Sequence, residues 1–213
     1  MTAKKPLLIV LAGVNGAGKS SIGGSLFERA GTTWYNPDTR AAALVERSGL
    51  TIAEANAEAW EHGLQLLKRA IALQQPHAFE TTLGGDTMTA EILRACATHD
   101  VIIWFCGLAS PELHIQRVKA RVARGGHDIP EHKIRERFDS SRLNVVRLMP
   151  HVRDLQIFDN SAEAGADGMV PNPVRLMCVS GGRLVWPTEQ EEIAATPQWA
   201  RPLLESALEL LQP

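Results

Sequence analysis

Along the chain, short apolar runs alternate with stretches whose apolar residues recur at helical spacing. Residues 6–12 (PLLIVLA) form an unbroken apolar run of the length of a buried parallel strand. Residues 20–30 predict a helix with Ile22, Leu26 and Phe27 on its inner side. Residues 32–38 predict a short second strand that ends in the turn signal Asn36-Pro37-Asp38. A helix begins near Asp38 and closes around Ser48-Gly49. Thr51 with Glu54 forms a capping box. It opens a long helix that carries Ile52, Ala55, Ala59, Leu66, Leu67 and Ile71 on one side and ends by Pro76. Residues 77–82 predict a third strand closed by Gly84-Gly85, with Asp86 as the expected cap of the next helix. Residues 101–106 (VIIWFC) predict a central strand. Ser110-Pro111 start a helix that Gly125-Gly126 stop. A further helix runs from near Pro130 to before Pro150, and residues 155–160 predict a fifth strand. This alternation predicts an α/β fold: a parallel five-stranded sheet with helices on both faces. The tail adds a β-hairpin over 174–179 and 183–186, turned by Ser180-Gly181-Gly182, and a helix from about 198 to 211. Residues 1–213 read as one domain, with a helical segment at about 115–140 and the hairpin and helix at about 172–213.

Composition narrows the class of partner. The net charge is −2 with no long basic run, which gives no case for nucleic acid or a membrane surface. No segment is long enough to span a bilayer. Lys4-Lys5 before an apolar stretch superficially resembles a secretion signal. The stretch is short and runs straight into the glycine-rich loop discussed next, so it reads as the first strand of a cytoplasmic protein. Cys96, Cys106 and Cys178 are scattered and odd in number, as expected of reduced thiols. The histidines show no metal-ligand spacing.

The candidate chemistry starts at residues 13–20, GVNGAGKS, which match G-x-x-x-x-G-K-[ST] at every fixed position. Backbone N–H groups of such a loop cradle phosphate oxygens, the lysine reaches the β- and γ-phosphates, and the hydroxyl ligates Mg²⁺. A helix N-terminus behind the loop favours the anion. The loop residues Gly13, Asn15, Gly16, Ala17, Gly18, Lys19, Ser20 and Ser21 are thus expected to hold ATP, with Ser20 on Mg²⁺. Other polar residues fall at the carboxyl ends of strands, where ligands collect in such sheets. Asp38 either caps its helix, or faces the loop and takes the proton of an attacking hydroxyl; the two roles are compatible. Glu80 sits in a strand that should be buried, so a substrate hydroxyl, Mg²⁺-bound water, an arginine or a structural ion pair must compensate its charge. Asp159 and Asn160 follow the fifth strand. Arg117, Arg121 and Arg124 share one face of a helix, beside the apolar Ile115, Val118 and Val122. They run into the turn Gly125-Gly126-His127-Asp128 and meet Arg135 and Arg137 on the next helix. Arg117 reads as solvated. The others resemble a lid that neutralises phosphate charge and excludes water. His127 is either a base, a phosphate contact or an ordinary loop histidine.

With GVNGAGKS at 13–20, NPD at 36–38, ETTLGG at 80–85, RVARGGHDIPE at 121–131, IRERF at 134–138 and FDNS at 158–161, the chain resembles the zeta-toxin family of P-loop kinases. The nearest branch is the small one labelled predicted ABC-type ATPase. The resemblance implies a P-loop kinase fold and ATP- and Mg²⁺-dependent phosphorylation of a sugar hydroxyl of UDP-N-acetylglucosamine or a related nucleotide sugar. It also implies a possible separate antitoxin. By residue it makes Lys19 and Ser20 the ATP–Mg²⁺ grip and Asp38 the general base. Arg121 and Arg137 become phosphate clamps, with Arg124 a further partner. Glu80, with Thr81 and Thr82, faces the acceptor. A kinase of another alcohol (nucleoside, sugar or antibiotic) and an ATP-gated switch protein are the alternatives.

Overall fold

Nothing along the first apolar run is polar, and it becomes β1 (Leu7–Ala12), with Leu8, Val10, Leu11 and Ala12 fully buried. The computed structural model describes residues 4–19, 23, 34–163 and 171–211. In it, β2 (His77–Thr81) and β3 (Asp100–Gly107) flank β1 in parallel, and β4 (Asp154–Asp159) runs parallel to β3. β5 (Val174–Ser180) and β6 (Arg183–Trp186) continue antiparallel, giving the order β2-β1-β3-β4-β5-β6. The fold is therefore α/β with a six-stranded, mostly parallel sheet, as the alternation predicts.

Two strands differ in detail from expectation. Of the strand expected over 32–38, residues 32–33 lie outside the described residues, and Tyr35 makes a single parallel bridge to Phe79. Pro37 explains the early end: it has no N–H to give a ladder, and its fixed φ suits the first turn of a helix. The expected hairpin is not an appendage. Its first strand pairs with β4 and covers an edge that would otherwise present unpaired backbone groups.

The helices are α1 (Pro37–Ser48), α2 (Ile52–Leu73), α3 (Asp86–Ala95), α4 (Pro111–Val122), α5 (Glu131–Leu148), α6 (Gln190–Ala194) and α7 (Arg201–Leu210). The helix expected over 20–30 lies outside the described residues except for Gly23. The Thr51/Glu54 capping box opens α2, and Ser110 caps α4 with Pro111 behind it. Two expectations are corrected. Asp86 does not cap α3; Gly85 holds that position without a side-chain bond, and the Asp86 carboxylate pairs with Arg147 at 2.6 Å. Ile52 is exposed. The buried stripe of α2 is Ala55, Ala59, Gly63, Leu64, Leu67 and Ala70, and the small Ala55 and Ala59 let α1 pack close through Ala41 and Leu44.

The main core lies where Met88 and Ile92 of α3, Val145 and Leu148 of α5 and Leu203 and Ala207 of α7 meet the sheet. A separate small cluster, Val14 with Ile115, Val118 and Ile134, fastens the loop after β1 onto α4 and α5. That cluster sets the position of the glycine-rich loop. Among the described residues, no helix is long and apolar enough to cross a membrane.

Candidate active site

Where β1 ends, the chain turns through Gly13 with φ 141° and Gly18 with φ 83°. Both values lie in the left-handed range that side chains disfavour. Space makes the same demand. A Cβ on Gly13 would collide with the Cys106 carbonyl of β3, and one on Gly18 with the Asn160 side chain beyond β4. Neighbouring elements clasp the loop from outside. Cys106 Sγ and Asn160 Nδ2 both donate to Ala17 O, at 3.0 and 2.9 Å. His114 of α4 contacts Asn15 O through Nδ1 at 2.8 Å, and Arg137 of α5 donates to Asn15 Oδ1 at 2.7 Å. Burial raises the Cys106 thiol to about 12, so it stays protonated and keeps its donor. Burial also lowers the Arg137 guanidinium below its usual value.

Lys19 is buried, with Nζ 3.2 Å from Glu80 Oε1 and 3.4 Å from Val14 O. Within the described residues a lysine of the loop is one group that meets the Glu80 charge. Asn36 completes the arrangement. Its Nδ2 donates to Glu80 Oε2 at 3.1 Å, while its Oδ1 accepts from Asp38 N at 2.8 Å and Thr39 N at 3.3 Å. Asn36, not Asp38, is the cap of α1. Asp38 lies inside the first turn with its carboxylate free to point across the cleft. There it meets Arg121 NH1 at 3.5 Å and His127 Nε2 at 3.7 Å.

The arginine stripe divides. Arg121 turns inward, and its NH2 donates to His127 O at 3.0 Å. Arg117 donates to Ala162 O, and exposed Arg124 folds its Nε back onto Ala120 O at 3.1 Å. Arg135 pairs with Glu112 on the outer surface. Of the expected clamp, Arg121 reaches Asp38 and Arg137 reaches Asn15, whereas Arg124 stays exposed. Thr81 and Thr82 shape the turn after β2 by accepting from Leu83 N at 3.0 Å and Gly84 N at 3.5 Å. Leu83, fully buried, is held there at φ 55°, an unusual conformation for its type. Asp159 binds Ser161 instead of entering the cleft. Ser20 and Ser21 lie outside the described residues.

These groups border a cavity of about 460 Å³, lined by Asn15, Asp38, Glu80, Thr81, Thr82, His127 and Arg137, with Tyr35, Trp60 and Met88 supplying an apolar wall. Its polar side holds Asp38 with Arg121 and His127 beside it. A buried lysine in the loop and a guanidinium beside it are donors of the kind an anion requires. Among the described residues, no group of three or more His, Cys, Asp or Glu is placed to hold a metal.

Sequence reasoning missed Asn36 and His114. Asn36 carried a signal, since Asn before Pro is a cap-and-turn pattern. His114 lies on the buried side of α4 one turn before Val118, an odd place for a polar ring. Burial pulls its pKa down to about 4, and the carbonyl partner keeps Nδ1 as a donor. An unfolded histidine titrates near 6.5. The unfolded chain therefore takes up this proton first as pH falls. The His114 contribution to stability is whole above about pH 6.5 and is lost on the way down to about 4. Denaturant titrations should show stability falling across that window by about 3 kcal/mol more in the unaltered protein than in His114→Asn.

A mostly parallel sheet with a glycine-rich loop after its first strand, a buried lysine in that loop and a polar cleft define a P-loop kinase-like fold. The family model described as an AAA domain matches residues 8–142, and the chain belongs to that family. No curated protein matches the sequence. Among solved structures, AvrRxo1-ORF1:-ORF2 with ATP aligns at 19% identity and a TM-score of 0.60, over 92% of this chain and 65% of that one. The chain thus spans slightly under two thirds of that neighbour. The native AvrRxo1-ORF1:-ORF2 complex aligns at 15% identity and 0.63, over 99% of this chain and 72% of that one. The PezAT chromosomal toxin–antitoxin system of Streptococcus pneumoniae aligns at 17% identity and 0.51, over 98% and 90%. At these identities the likeness shows the fold.

Proposed function

We propose that the protein is an ATP- and Mg²⁺-dependent kinase that transfers the γ-phosphoryl group to a hydroxyl of a nucleotide sugar of the UDP-N-acetylglucosamine kind. The observation that carries the reading is Asp38: a carboxylate on the first turn of α1, with the capping done by Asn36, lining one cavity together with Asn15 of the glycine-rich loop. A cavity of about 460 Å³ suits an acceptor larger than a simple sugar.

In this reading Gly13, Asn15, Gly16, Ala17, Gly18 and Lys19 hold the polyphosphate. Ser20 and Ser21 continue that grip, with Ser20 the Mg²⁺ ligand. Asp38 accepts the proton of the acceptor hydroxyl as its oxygen bonds to the γ-phosphorus and the bond to the β-phosphate oxygen breaks. Arg121 and Arg137 offset the charge on the transferring group. Glu80, with Thr81 and Thr82, orients the acceptor. Residues 1–213 act as one domain in the cytoplasm, with the lid at about 115–140, and neither nucleic acid nor membrane is a partner. The complexes among the structural neighbours support a separate antitoxin as a partner.

The test is mass spectrometry of a metabolite pool incubated with the protein, ATP and Mg²⁺. A phosphate-mass gain on UDP-N-acetylglucosamine, absent with Asp38→Asn, supports the reading. A gain on another alcohol keeps the kinase and discards this acceptor. ATP consumption with no phosphorylated acceptor overturns the kinase in favour of a nucleotide switch.

A further inference from the structure

Between α4, α5 and the C-terminal segment, the buried polar atoms His114 Nε2, Ser141 Oγ and Trp199 Nε1 are among those with no hydrogen-bond partner among the described residues. His114 and Ser141 are fully buried and Trp199 is 5% exposed. All three side chains line one small cavity of about 10 Å³, walled by Val14, Phe105 and Phe138. Leaving three polar groups unsatisfied together is costly, and native interiors rarely do so.

Their chemistry is complementary. Asn15 O can only accept, so His114 Nδ1 carries the proton and Nε2 presents a lone pair. The Trp199 indole can only donate, and the Ser141 hydroxyl can do either. One donor, one acceptor and one group of either kind match a single water molecule. The cavity is about one water probe in size. A cation would lack acceptors at Trp199, and an anion would face the His114 lone pair.

We propose that this cavity holds one structural water, which accepts from Trp199 Nε1, donates to His114 Nε2 and shares a hydrogen bond with Ser141 Oγ. His114 and Trp199 are then positioning residues for the phosphate loop. The Asn15 carbonyl fixes the His114 tautomer and the water takes up the Nε2 lone pair, so that His114 holds the Asn15 carbonyl while Arg137 holds the Asn15 side chain. Arg137 and Ser141 lie one turn apart on α5, so one helix serves both grips. The C-terminal segment, which carries no chemistry of its own, acquires a role. The Trp199 ring lies against Gly107, where any Cβ would strike it, and Arg142 anchors the Trp199 carbonyl at 3.1 Å.

A crystal structure that resolves ordered water, with nitrogen NMR of His114 and ATP titrations, tests this. The expected results are one water peak within hydrogen-bond distance of all three atoms and a neutral Nδ1–H imidazole. Trp199→Phe, assayed well below its melting temperature, should bind ATP about tenfold more weakly, the order of one lost hydrogen bond. Ser141→Ala removes one partner with little change of shape and should weaken ATP binding in the same direction if Trp199→Phe does not fold. A dry cavity, an Nε2–H imidazole, or ATP affinity unchanged in Ser141→Ala overturns the proposal. Absence of ATP binding by the unaltered protein would instead sink the kinase reading, and the water peak and the tautomer would still decide this one.

Discussion

Asp38→Asn is expected to bind ATP as the unaltered protein does and to transfer phosphate about 10²–10⁴-fold more slowly, the usual contribution of a general base. The local structure makes the variant clean. α1 is capped by Asn36 and begins at Pro37, so the Asp38 side chain holds no helix end. The carboxylate is 39% exposed, and its contacts with Arg121 and His127, at 3.5 and 3.7 Å, are long. An amide of the same shape keeps the packing and removes the proton acceptor. Calorimetric ATP titration and initial rates with the acceptor found by metabolite screening separate the two effects. A normal transfer rate in Asp38→Asn would remove this residue from the base role.

Lys19→Ala carries a double loss. It removes the cation that the polyphosphate requires, and ATP binding should be undetectable by the same titration. It also leaves the Glu80 carboxylate buried without its ion-pair partner. Breaking one side of a buried pair destabilises proteins by about 3–5 kcal/mol, because the remaining charge is uncompensated. The double variant Lys19→Ala/Glu80→Gln separates the effects: it should recover most of the lost stability in denaturant titrations and none of the ATP affinity. If the single variant is as stable as the unaltered protein, the pair seen at 3.2 Å contributes nothing to the folded state.

Much of this was legible in the chain. The phosphate loop, the strand ends and the α2 and α4 caps follow from local rules: a glycine where the backbone needs positive φ, a hydroxyl or carboxamide where helix N–H groups need an acceptor, an unbroken apolar run where both sheet faces are covered. Asp38 and Glu80 stood out as carboxylates at strand ends, and the structure sets both on the cavity. What was not legible depends on residues far apart in sequence. Periodicity placed Arg117, Arg121 and Arg124 on one face but could not say that only Arg121 turns inward, since its partners Asp38 and the His127 carbonyl come from other segments. Nothing local to Glu80 announced Lys19 as its partner. The hairpin was visible, whereas its pairing to β4 depends on which sheet edge is uncovered. His114 read as one more residue of an amphipathic helix, because its carbonyl partner is 99 positions away.

Asn36 narrows the choice of amino acid at its position more than its size suggests. The oxygen of its carboxamide serves the helix that carries Asp38, and the nitrogen serves Glu80. Aspartate would keep the first and set a second carboxylate against Glu80. Serine or threonine would keep the first and lose the second. Glutamine would put both atoms one methylene too far out. A saturation library at position 36 scored for folding alone should therefore accept several short polar residues, and the same library scored for phosphorylated product should return asparagine.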